Sequence, residues 1–128
     1  MTYEFPSADL WSFLLFGYLV TVLIETPILL VGLSRPHPWS RRLFAGLWLT
    51  ACTYPIVVLV LPSFIDAIDD RWLYLVSAET FAPAAECLLF VAAFGRFANS
   101  RSQRLRDVLA IILANLASFL LGGWLVAH

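Results

Sequence analysis

The sequence predicts an all-α membrane protein: four transmembrane helices in an antiparallel bundle, one domain over residues 1–128. Three observations carry that prediction. Hydrophobic residues make up 61% of the chain and charged residues only 13%, about half the charged share of an ordinary soluble domain, and mean hydropathy is +0.84. The apolar residues gather into four runs, each near the roughly 20 residues needed to cross a hydrocarbon core of about 30 Å. The connections between the runs are short and polar, and their arginines are unevenly divided.

The first run, about 10–33, is interrupted by one acid, Glu25. The second, about 43–64, carries no charge. The third, about 72–95, holds Glu79 and Glu86, and the fourth, about 108–127, again holds none. Between them lie "SRPHPWSRR" (34–42), "IDAIDDR" (65–71) and "RFANSRSQRLRD" (96–107). The chain has no lysine, and seven of its eight arginines fall in the first and third connections, which share one side. The positive-inside rule assigns that side to the cytoplasm and leaves both termini and the acidic middle connection outside. Trp11, Trp72 and Trp124 stand at the predicted outer ends and Trp39 near the inner surface, where interfacial aromatics belong.

Several classes are set aside. A net charge of −1 provides no basic field for nucleic acid. No GxSxG, HExxH, P-loop or GxGxxG occurs, so nucleotide, hydride and standard hydrolase chemistry are not signalled. Cys52 and Cys87 lie in apolar runs without CxxC spacing and read as small buried hydrophobes. The N-terminal "MTYEFPSADLW" lacks a basic n-region, so a cleaved signal is not expected. The arginine-rich third connection reads first as a topology signal and solvated turn, with a surface for anionic lipid headgroups as the alternative.

Each run concentrates its polar or small residues on one face. Tyr18, Thr21 and Glu25 recur at i, i+3, i+7, as do Asn115, Ser118 and Gly122; Thr50 and Thr53 are a turn apart, beside Tyr54. Glu79 and Glu86 are two turns apart, within about 20° of one line on the helix. Stripes of this kind turn inward, because unsatisfied polar groups are costly in lipid. Small residues on or near these faces, Gly17, Ala82, Ala85 and Gly122, let helices approach closely. Pro27, Pro55 and Pro83 are expected to kink their helices and to free the carbonyls of Leu23, Ala51 and Glu79. A polar interior near mid-membrane follows. The early "ETP" and the later "ETFAP" also hint at a parallel duplication of two helical hairpins.

The three acids have no cationic partner within any run. Along the third helix Arg71 and Arg96 lie about 12 and 15 Å away in axial rise. A charge near the bilayer centre costs about 2.5–3.5 kcal/mol on insertion scales, so the countercharge is expected to be imported. It could be a proton, leaving a neutral carboxyl. It could be a hard cation such as Na⁺, Mg²⁺, Ca²⁺ or Mn²⁺, held by carboxylates with hydroxyl and amide oxygens. It could also be a cationic substrate or partner.

The pattern "ETP", "TYP", "AExxxxxxE" and "NLASFLLG" resembles small four-helix bacterial integral membrane proteins that are themselves uncharacterised. The resemblance covers most of the chain and implies no transferable activity. It implies a bacterial inner membrane setting and marks Glu25, Pro27, Thr53, Pro55, Glu79, Glu86, Asn115 and Ser118. The leading expectation is a site that binds or moves a cation or proton, built from Glu25, Glu79 and Glu86 with Thr53, Asn115 and Ser118. Four helices leave little room for a full pathway, so transport is expected to need a homo-oligomer. Two alternatives stand beside it: an intramembrane enzyme using paired carboxyls as acid and base on a lipid or buried peptide, and an accessory subunit whose acids pair with a larger membrane partner.

Overall fold

The computed structural model describes residues 7–60 and 71–127, and of 7–11, 13, 71 and 122–127 the backbone alone. It is all-α, with four long helices in chain order. Helix α1 is Ser7–Gly32. Helix α2 is Trp39–Pro55 and passes into a π-helical stretch, Ile56–Val60. Helix α3 is Arg71–Phe94, followed by a 3₁₀ turn at Gly95–Phe97, and helix α4 is Arg101–Ala127. Among the described residues three segments are long and apolar enough to cross a membrane: Leu14–Gly32, Trp39–Val60 and Trp72–Phe97. The fourth run, 108–127, lies within α4, whose first two turns are charged. The end of the second run and most of the acidic connection, at 61–70, fall outside the described residues, as do the side chains of Trp11 and Trp124.

Local chemistry explains the ends. Pro36 and Pro38 cannot continue α1, and Pro38 sits in extended backbone immediately before α2. Ser100 and Gln103 close the start of α4 in the manner of a capping box. The Ser100 hydroxyl accepts the Gln103 N–H at 3.2 Å, and the Gln103 side chain reaches back to the Asn99 N–H at 2.6 Å. The connections on the arginine side are therefore shorter than the sequence predicts. Arg41, Arg42, Arg104 and Arg106 are helical, because the helices run past the hydrocarbon boundary that the charges mark. Of the three prolines only Pro55 coincides with a break in the α-helical pattern; α1 and α3 remain helical through Pro27 and Pro83.

Each helix packs mainly on two neighbours, α1 and α3 each against α2 and α4. Glycines set the closest approaches. A Cβ at Gly46 would run into Thr26, one at Gly17 into the Tyr54 ring and hydroxyl, and one at Gly32 would press on Ala110. Gly17 with Tyr54 and Thr26 with Gly46 run in opposite directions, as do Gly32 with Ala110 and Glu25 with Ser118, so α1 lies antiparallel to both partners. The compact core is Leu29, Leu33, Ala45, Leu49, Phe90, Ala110, Ile111 and Ala114, all toward the arginine-rich end. Large apolar side chains such as Leu23, Val31, Leu88 and Leu113 face outward. That pattern suits a lipid surround.

Candidate functional site

Beyond the apolar core, toward the opposite end, the four helices enclose a partly open cavity of about 160 Å³. Thr21 and Glu25 reach it from α1, Thr50, Thr53 and Tyr54 from α2, Glu79 and Ala82 from α3, and Asn115 and Ser118 from α4. Stripes from four helices do converge. Tyr18 and Glu86 do not line the cavity: the Tyr18 hydroxyl donates to the Leu47 carbonyl at 2.9 Å in the α1–α2 seam.

Glu25 is 3% exposed and Glu86 2%, while Glu79 is half-buried. Glu25 stands beside the Ser118 hydroxyl and within electrostatic reach of Glu86 and Glu79. Glu86 lies just behind the cavity wall, next to the Asn115 amide. The neutral groups are partly committed to their own helices. The Thr53 hydroxyl donates to Leu49 O at 3.0 Å, the Asn115 amide to Ile111 O at 3.0 Å and the Ser118 hydroxyl to Asn115 O at 2.9 Å. Those donations leave the Thr53 and Ser118 oxygens and the Asn115 carbonyl as acceptors. Two buried oxygens at or beside the cavity, Thr50 Oγ1 and Glu86 Oε2, have no hydrogen-bond partner among the described residues. No arginine or histidine forms an ion pair with the three glutamates among the described residues.

Nor do any three His, Cys, Asp or Glu side chains among the described residues group closely enough to hold a metal ion together. Glu25 and Glu79 reach the cavity itself, with Thr53, Asn115 and Ser118 as neutral oxygen-bearing neighbours. The prolines are not part of the cavity wall: Pro27 and Pro55 are exposed and Pro83 is half-buried.

A second buried polar cluster lies at the arginine-rich end: His37 is in the α1–α2 connection, as the sequence predicts, but it is buried there against Asp107 of α4, a pairing the sequence does not signal. His37 is 1% exposed and Asp107 2%. The Asp107 carboxylate accepts the Ser34 N–H at 2.7 Å and faces His37 Nε2 at 2.9 Å. Arg41 Nη1, which can only donate, faces His37 Nδ1 at 3.2 Å, so the hydrogen of the imidazole sits on Nε2 and points to Asp107. The imidazole packs edge-on against Phe90, and the Arg41 guanidinium lies 3.7 Å from the centre of the Phe97 ring. Arg42 donates to the carbonyls of Leu30 (2.6 Å), Ser34 (2.9 Å) and His37 (2.8 Å), and Arg106 to that of Gly32 (2.9 Å). The last carbonyls of α1, which have no intrahelical donor, are thus served by arginines of α2 and α4. A lysine could not fan three donors over three separate carbonyls from one planar head.

Cys52 and Cys87 are free thiols, both half-buried, and Cys87 Sγ lies 3.8 Å from Val108 O. No protein-family model, no curated protein and no solved structure matches the chain.

Proposed function

We propose that this protein is a four-span membrane protein whose interior carboxylates bind, and in an oligomer move, protons or a small monovalent or divalent cation. The observation that carries the reading is the contrast in countercharge. Glu25 and Glu86 are almost fully buried beside a hydroxyl- and amide-lined cavity, and no arginine or histidine pairs with them among the described residues. A cavity of about 160 Å³ has room for about five water-sized volumes, which suits a proton or a partly hydrated ion. It is well below the roughly 300–1,000 Å³ of organic-ligand sites. Acid–base chemistry on a lipid or a buried peptide is correspondingly disfavoured.

In this reading α4 supplies the fourth crossing over 108–127, the arginine-rich end lies in the cytoplasm of a bacterial inner membrane, and both termini lie outside. Glu25 of the first hairpin and Glu79 of the second would face the same cavity as the paired acids of a duplicated unit. Thr53, Asn115 and Ser118 would orient the site. The resemblance to uncharacterised four-helix bacterial membrane proteins fits this setting.

Proteoliposome flux tests it. The wild-type chain should carry protons or one of Na⁺, Mg²⁺, Ca²⁺ and Mn²⁺ down an imposed gradient, and Glu79→Gln with Glu86→Gln should abolish the signal. Flux equal in wild type and double variant would remove the proposal.

A further inference from the structure

A groove lies on the outside of the bundle, where α1 meets α4 near the arginine-rich end, apart from the acid-lined cavity. It encloses about 400 Å³, within the size range of small-molecule sites. Its floor is the close approach of Gly32 to Ala110, and its walls are Ile28, Leu109 and Leu113. At its arginine-rich end the groove stops being apolar. Ser102 and Arg106, one turn apart on α4, line it there.

Arg106 is not a loose surface charge. Its Nε donates to the Gly32 carbonyl at 2.9 Å, while the adjacent Asp107 holds the Ser34 amide. The side chain is thus held at the groove it lines, with neither Nη group hydrogen-bonded among the described residues. Arg42 differs, since Nε, Nη1 and Nη2 each hold a carbonyl. A planar fork with two uncommitted nitrogens suits a phosphate diester. The groove below it is lined by aliphatic side chains, as an acyl chain requires. We infer that the α1–α4 groove binds one anionic phospholipid, its phosphate on Arg106 and Ser102 and one acyl chain along Leu109 and Leu113. Charge complementarity selects the occupant, because an apolar channel ending at an arginine on the arginine-rich side matches a lipid with a net negative head.

The test is native mass spectrometry of the full, delipidated chain titrated with dioleoyl phosphatidylglycerol or dioleoyl phosphatidylcholine. Wild type should bind the anionic lipid about fivefold more tightly, the contribution of one arginine at a charged headgroup. Arg106→Gln, which can still donate to Gly32, should erase that preference, whereas Arg104→Gln should keep it. Leu113→Trp should weaken both lipids by filling the acyl channel while leaving Arg106 untouched. The inference is overturned by an absent preference in wild type, by a preference that survives Arg106→Gln, or by undiminished binding in Leu113→Trp. It is equally overturned if glycerol 3-phosphate displaces the phospholipid at matching concentration, which would make the site one for free phosphate.

Discussion

The bundle buries ionisable groups in two places and treats them oppositely. At the arginine-rich end Asp107, His37 and Arg41 form a continuous line of contacts, and Asp107 also holds the Ser34 amide. Around the cavity Glu25, Glu79 and Glu86 meet hydroxyls, an amide and one another, and Glu86 Oε2 has no partner among the described residues. Both clusters sit in the same small fold, so the difference is not a matter of depth alone. The first is closed by the chain itself and acts as a clamp between the α1–α2 connection and α4. The second has no arginine or histidine paired with its acids among the described residues, and one buried carboxylate oxygen there has no hydrogen-bond partner.

That contrast can be broken from the clamp side first. Phe90 is 1% exposed and touches both the apolar core and the His37 ring. Phe90→Ala should therefore lower stability by about 3–5 kcal/mol, read as a lost or strongly shifted denaturation midpoint in detergent. Asp107→Ala should cost about 3 kcal/mol, because it leaves a buried amide and a buried imidazole without their acceptor. Asp107→Asn, which keeps one acceptor oxygen, should recover part of that loss. Equal stability of the alanine variant and wild type would mean that the clamp closes nothing.

The helix crossing sharpens the comparison further. Gly46→Ala would push α2 off Thr26 and should cost about 1–3 kcal/mol as an overpacked contact, measured by the same unfolding assay. Smallest in stability, and most telling, is Glu86→Gln. With no countercharge to orphan, it should change stability by under about 0.5 kcal/mol or raise it slightly, while removing ion or proton binding. A loss comparable to that of Asp107→Ala would show that Glu86 has a structural partner, and the two clusters would no longer differ in kind.

The sequence made one of these clusters legible and hid the other. Four helices followed from the apolar runs, and the convergence of Glu25, Glu79, Thr53, Asn115 and Ser118 on one cavity followed from their helical spacing. The apolar runs give the spans but not the helix ends: α2 and α4 extend beyond them to include Arg41, Arg42, Arg104 and Arg106, because helix continues where apolarity stops. Tyr18 shares a stripe with Glu25, yet its long side chain ends at the Leu47 carbonyl instead of the cavity. The His37–Asp107 pair joins residues 70 positions apart, and no periodicity links a connection to a helix start. One signal was available: Asp107 is the only acid in either arginine-rich connection, and both lie on the same side as His37.

The contact of Gly46 with Thr26 has a mechanical consequence. At that crossing the two helices approach closely because Gly46 carries no side chain, so nothing can be added there without moving Thr26. On one side of this crossing α1 and α2 are tied by Arg42 to three carbonyls; on the other they are joined where the Tyr54 ring seats on Gly17, next to a π-helical turn. The seam between α1 and α2 is therefore unequally tied along its length: several arginine-to-carbonyl bonds at one end, and the Tyr18–Leu47 bond with the Gly17–Tyr54 contact toward the other.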